Sequence, residues 1–265
     1  MVDVDKEYVS RINCMKKYTA QTLTTTLDEL LDPTNMPDVC PNGLQVENTG
    51  TITKAATAVS ASLEAIEKAV ELGANALIVH HGIFLYKESP VITNSIYHKV
   101  KLLIDNNIAL LCYHLPLDAH ELGNNWQAAQ KLGWQNLQPF GSYNNIALGV
   151  RGTFKPTSAN ELKQTLESFY NNKANVVIGK DTLTSGAIIS GNAHKFLKTA
   201  ISQNVDCFIT GTVDEPIWDV AREAGVTFFA LGHYATEVIG VRTLADYIQN
   251  HLGFQCTFIK TDNPF

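Results

Sequence analysis

The strongest constraint on how this chain can fold is an internal repeat. The segment GAIISGNAHKFLKTAISQNVDCFITGT can be laid on TAVSASLEAIEKAVELGANALIVHH at an offset of 130 to 131 residues, which sets Ser190 on Ser60. Strand falls on strand and helix on helix. Further on, GVTFFALGHYATE lies on NIALLCYHLPLDA at an offset of 119, which sets His233 on His114 and Glu237 on Asp118. A chain of 265 residues that runs twice through a βαβαβ order is read as two related three-layer α/β units. Such alternation predicts mainly parallel sheets, with binding crevices at the carboxyl ends of the strands. The stretch from Gly133 to Gly152, rich in Gly, Asn and Gln, is the expected boundary. It gives a first unit over 1–136 and a second over 137–265, whose C-terminal helix and strand can return to the first.

Local signals fill in this frame. A helix is predicted over Tyr18 to Leu31, stopped by Pro33, with the helical pattern opening at Met15 and the residues before it read as an extension. Pro41, Asn42 and Gly43 punctuate the start of a strand. Ala55 to Ser60 reads as the next strand, Ser62 as an N-cap, and Leu63, Ile66 and Val70 as a helical stripe closed near Gly73. The strand ALIV at 76–79 runs into His80, His81 and Gly82. A helix from about Ser95 to Asp105 then leads to the strand IALLCY, which ends at His114.

Composition narrows the function classes. A net charge of −6 and a pI near 5.7 argue against bulk binding of nucleic acid or anionic membrane. No apolar run reaches the roughly 18 residues of a membrane span, and the first residues show no signal-peptide pattern, so a cytoplasmic protein is expected. The cysteines, Cys14, Cys40, Cys112, Cys207 and Cys256, are odd in number and contain no Cys-x-x-Cys pair. That disfavours a disulfide framework or a thiolate zinc site, and Cys112 and Cys207 fall inside strands as core residues would.

The polar residues at the strand ends are of another kind. His80 and His81 are adjacent, and His114 with Asp118, like His233 with Glu237, sets a carboxylate four residues after a histidine. If the chain turns helical at His233, positions i and i+4 share a face and can reach one ion. Four histidines and two carboxylates at strand ends of two repeats are hard to assign to packing, because buried ionisable groups cost several kcal/mol unless paired or metal-bound. Imidazole and carboxylate without thiolate suit zinc, iron, manganese, nickel or cobalt, and six candidates suffice for two ions. Glu215, after TGTVD, is placed near the site by the repeat, with helix capping beside Pro216 as the competing reading. Asn42 and Gln45 are read first as turn residues. P-loop, dinucleotide and serine-hydrolase motifs are absent.

Four segments together carry a resemblance: NGLQV at 42–46, IVHHGIF at 78–84, HLPLDAHELGNN at 114–125 and GHYATEVIGVR at 232–242. In this order they resemble the dinuclear-metal-centre hexameric proteins, the Nif-three-like family, whose members are labelled type 2 homologues of GTP cyclohydrolase I. The resemblance covers nearly the whole chain from Met15. It implies a toroidal homohexamer, a ring of dimers or trimers, and two divalent metal ions per subunit in a site between the α/β units at the strand ends. Carried over by motif, the ligands are His80, His81, Asp118, His233 and Glu237, with His114 beside the metals. The length matches the compact bacterial form. Around Gly191 the family is glycine-rich, whereas this chain has ISGNAHKF with His194. The function implied is metal-dependent hydrolysis of a nucleotide or other small heterocyclic or phosphorylated substrate, with His114 or Glu215 as proton carrier. The competing reading is a metal-binding scaffold or regulatory hexamer.

Overall fold

The structure, a computed structural model, describes residues 17–85 and 91–265. Met15 and the segment before it lie outside the described residues. The described residues fall into two compact units: those up to Pro116 together with 241–261, and 117–240 together with 262–265.

The first unit opens with α1 (Ala20–Leu31), whose Leu23, Leu27 and Leu31 recur at helical spacing and are buried. Strand β1 (Gly43–Val46) follows, then β2 (Lys54–Ser60), α2 (Leu63–Glu71), β3 (Ala76–His81), α3 (Asn94–Asp105) and β4 (Ala109–Cys112). The sheet order is β1-β4-β3-β2-β11, where β11 (Gln255–Phe258) comes from the C-terminus and pairs in parallel with β2. Pairs β2–β3 and β3–β4 are also parallel, and β1 alone runs antiparallel, against β4. The central strands are buried along nearly their whole length, as a sheet covered on both faces requires. One face carries Ala56, Ala58, Leu77, Val79, Leu110 and Cys112 against Ile66 of α2 and Leu103 of α3. On the opposite face Thr57 Oγ1 donates to the carbonyl of Val241, 2.9 Å away.

Helix α2 starts where the N-cap signal places it, with Ser62 Oγ accepting from the Ala65 N–H. Ser62→Ala is expected to lower stability by about 1 kcal/mol, read as a shift of the urea midpoint at unchanged slope.

The second unit holds α4 (Leu115–Ala119, begun in the first unit), α5 (Asn124–Lys131), β5 (Gln135–Tyr143), β6 (Ile146–Ser158), α6 (Ala159–Tyr170), β7 (Asn175–Val177), β8 (Thr182–Ile188), α7 (Leu197–Ser202), β9 (Cys207–Thr210), α8 (Ile217–Ala224), β10 (Thr227–Ala230) and the start of α9 (His233–Tyr247). Its sheet order is β5-β6-β8-β9-β10-β7. Helices α5 and α6 meet Val150, Ile188, Ile209 and Phe229, while α7 packs on β9 and α8 on β10.

Two expectations are corrected. The stretch 133–152 is not a boundary but contains the β5–β6 hairpin, and the chain passes from one unit to the other at Pro116–Leu117. Asn144 and Asn145, both at positive φ (49° and 67°), form its two-residue turn, the conformation a type I′ hairpin needs. The second sheet is also not mainly parallel. Pairs β8–β9 and β9–β10 are parallel, but β5–β6, β6–β8 and β10–β7 are antiparallel. Parallel pairing persists only where a helical crossover joins the strands. Among the described residues, no helix is long and apolar enough to cross a membrane.

Candidate metal centre

Both His80 and His81 belong to β3, which extends two residues past the ALIV core to include them. His114 follows the end of β4. The three rings cluster in the first unit, with centroids 4.6 Å apart for His80–His81, 5.0 Å for His80–His114 and 5.5 Å for His81–His114. A ring nitrogen of each lies within 4.8 Å of the other two.

Each Nδ1 has a protein partner. His80 Nδ1 lies 3.2 Å from the Tyr113 carbonyl, His81 Nδ1 3.0 Å from Ser60 Oγ, and His114 Nδ1 2.7 Å from Asp38 Oδ1. A carbonyl or carboxylate oxygen can only accept, so Nδ1 carries the proton in His80 and His114. In the neutral ring the ligand-type lone pair then sits on Nε2. This is how second partners set the tautomer of metal-binding histidines.

The partner of His114 is therefore Asp38, a residue that no sequence motif singles out. Asp38 also accepts from the Leu115 N–H at 3.0 Å, Asn42 Nδ2 at 3.0 Å and the Cys40 N–H at 3.1 Å. Burial alone would raise its pKa, but the hydrogen bond and charge of His114, with the Asn42 amide and the Leu115 N–H, outweigh that and bring it to about 2. Asn42 and Gln45 take the structural roles expected of them. Asn42 Oδ1 accepts from the His114 N–H, and Gln45 Oε1 accepts from the Ile83 N–H just after the histidine pair.

The second unit gathers the remaining residues. α9 begins at His233, so Glu237 stands one turn along, and Glu237 Oε1 lies 3.1 Å from His233 Nε2. Ligand atoms each about 2.1 Å from one ion fall at a mutual distance of about 3 to 3.5 Å, so this pair already has ligand spacing. Glu237 is only 2% exposed. Gly191 lies directly beneath it: a Cβ there would stand 2.3 Å from Glu237 Oε1 and 3.2 Å from His233 Nε2. Thr236 Oγ1 accepts from the Gly191 N–H at 3.0 Å and fixes this approach.

Asp118, also buried, accepts from Asn124 Nδ2 at 2.9 Å and from Ser190 Oγ at 2.7 Å. Asn124 Oδ1 in turn accepts from the Gly240 N–H on α9, and Asn125 Oδ1 from the Ser190 N–H. Ser190, Gly191, Asn124 and Asn125 thus tie Asp118 to the His233–Glu237 turn within one unit. All four fall inside or beside the sequence motifs, yet nothing in the sequence assigns them a role. Glu215 is exposed in the turn before α8, which starts without any side-chain cap, so the capping reading of Glu215 does not hold.

Residues 18–264 match the family described as Duf34/NIF3 (NGG1p interacting factor 3). The chain is 45% identical over 248 residues to the "GTP cyclohydrolase 1 type 2 homolog" of Chlamydia trachomatis serovar D, covering 92% of this chain and 98% of that protein. It is 38% identical over 248 residues to the protein of the same name from Escherichia coli K12, covering 91% and 98%. Among solved structures it resembles "protein ybgI, unknown function", with TM-score 0.88, 37% identity, and coverage of 94% of this chain and 100% of that one. The chain belongs to the Duf34/NIF3 family.

Proposed function

We propose that His80, His81, Asp118, His233 and Glu237 are the ligands of a dinuclear divalent metal centre, and that the protein is a metal-dependent hydrolase of a nucleotide or another small heterocyclic or phosphorylated substrate. The observation that carries this reading is the histidine cluster, whose Nδ1 atoms are all held by the protein. Its partners orient the rings and, in His80 and His114, leave Nε2 as the ligand-type atom. The His233–Glu237 pair at ligand spacing and the glycine cradle beneath it support the same reading in the second unit.

Bound divalent ions would supply Lewis acidity and an activated water. The chain's own contribution is to orient the donors and to move a proton. Ser60 and the Tyr113 carbonyl orient the His81 and His80 rings, while Asn124 and Ser190 hold the Asp118 carboxylate. His114, anchored by Asp38, carries protons at Nε2. It takes this role rather than Glu215, which has no such anchor. The nucleotide substrate class rests on the name shared by the curated relatives.

Full-length protein stripped with a chelator and reloaded with Zn²⁺, Mn²⁺ or Co²⁺ should retain about two ions per chain by elemental analysis. His80→Ala and Glu237→Gln should each lower that content to one or fewer. His114→Ala should keep the metals and lose turnover on a nucleotide and phosphoester panel. Loss of metal in His114→Ala would make His114 a ligand instead. Unchanged metal content in His80→Ala and Glu237→Gln would defeat the metal centre. A loaded protein inert to the whole panel would favour a scaffold.

A further inference from the structure

Cys40 and Cys112 lie 72 residues apart in sequence, yet their sulfurs are 3.2 Å apart in the first unit. The hydrolytic reading has no use for either. Cys112 is fixed on β4 and its S–H donates to the His80 carbonyl at 3.1 Å. Cys40 sits in the irregular segment before β1, next to exposed Pro41, and its own N–H donates to Asp38, the anchor of His114. Each cysteine is therefore hydrogen-bonded to a residue of the histidine cluster or to its anchor. One sulfur is held on a strand and the other on a loop free of sheet pairing. A disulfide needs about 2.05 Å between sulfurs, so closure asks the loop to move a little more than 1 Å.

From this geometry we infer that Cys40 and Cys112 form an oxidation site, which a hydroperoxide converts to an intramolecular disulfide in the folded protein, loosening the histidine cluster. The Cys40 sulfur attacks one peroxide oxygen, an S–O bond forms and the O–O bond breaks. The departing hydroxide takes the thiol proton and leaves as water. The Cys112 sulfur then attacks the Cys40 sulfenic sulfur, the S–S bond forms, the S–O bond breaks, and a second water carries off the Cys112 proton. Two thiols lose two electrons and one peroxide is reduced. Closure withdraws the Cys112 S–H from the His80 carbonyl and drags the loop that carries Asp38. Cys40 and Cys112 are as buried as Cys207 and Cys256, so it is the sulfur–sulfur contact, and not exposure, that singles out this pair for oxidation.

The test uses full-length protein in a Cys14→Ser background, since Cys14 lies outside the described residues. Treatment with hydrogen peroxide should lower the intact mass by about 2 Da and leave two of the four remaining thiols. Non-reducing peptide mapping should show Cys40 joined to Cys112, and a thiol reductant should reverse it. Cys40→Ser, on the loop, should abolish the cross-link with the fold intact, as should Cys112→Ser if the strand tolerates it. The expected consequence, which rests on the metal reading above, is Zn²⁺ affinity at least tenfold weaker in the oxidised than in the reduced protein. Oxygen added to Cys40 without a cross-link, or a cross-link through other cysteines, overturns the inferred site. A cross-link with unchanged Zn²⁺ affinity overturns the loosening. Reduced protein that binds no Zn²⁺ instead defeats the metal reading and leaves the cross-link standing.

Discussion

Gly191→Ala is expected to destabilise the protein by about 2 to 5 kcal/mol and to empty the metal-binding capacity of the second unit. Two costs combine. The residue sits at φ +66°, where an L side chain costs roughly 1 to 2 kcal/mol. Its new Cβ would also stand 2.3 Å from Glu237 Oε1, a buried carboxylate with little room to retreat, at an overpacking cost of roughly 1 to 3 kcal/mol. Gly225 separates the two, because it has almost the same φ, +67°, and a Cβ added there would meet nothing within 4 Å. Gly225→Ala should therefore show only the backbone cost. Urea unfolding of both variants gives the difference, and elemental analysis shows whether ligation follows it. Equal destabilisation of the two, with metal content unchanged in both, would mean that Gly191 is only a turn residue.

The legibility of this site in the sequence follows the range of its contacts. His233 and Glu237 can be read because one helical turn joins them, and the structure places them on that turn. His80 and His81 can be read because they are neighbours at the end of an apolar strand. Asp38 cannot, since it meets His114 across 76 residues from an irregular loop that has no periodicity to betray its direction. Ser190 and Asn124 escape for the same reason, although their hydrogen bonds hold Asp118.

At the level of the fold, the repeat and its strand–helix alternation convey the two α/β units. Strand direction in the second sheet is hidden, because side chains alternate with the same period of two in parallel and antiparallel strands. The Asn-Asn turn reads as a linker because turn residues mark a change of direction without saying whether a hairpin or a boundary follows. The return of the C-terminal helix and strand to the first unit is expected from the sequence and occurs, with β11 parallel to β2, but the register of a pairing some 200 residues apart is encoded in no local pattern.

Asp38→Asn is expected to cost about 3 to 5 kcal/mol at neutral pH, the cost of breaking a buried, hydrogen-bonded pair. Four donors converge on this carboxylate: His114 Nδ1 and the Cys40 N–H on Oδ1, and the Leu115 N–H and Asn42 Nδ2 on Oδ2. An amide offers one oxygen and sets its NH₂ against the donors on the other side, so either orientation leaves two of them facing a donor. The pH dependence carries its own signature. The folded pKa of Asp38, about 2, lies below its ordinary value of 3.8, so as pH falls the unfolded chain takes up the proton first. The stabilisation from this ionisation, about 2 kcal/mol, is complete above pH 4 or so, fades as pH falls and is lost below about 2. Asp38→Asn lacks the titrating group, so the gap in stability between the native protein and the variant should narrow as pH falls across that window. Urea denaturation from pH 2 to pH 5 reads this, since the variant lacks only the Asp38 carboxyl in the range where carboxylates titrate. A gap that held its size down to pH 2 would place the stabilising role on the shape of Asp38 and not on its charge, and would remove the basis for His114 as an anchored proton carrier.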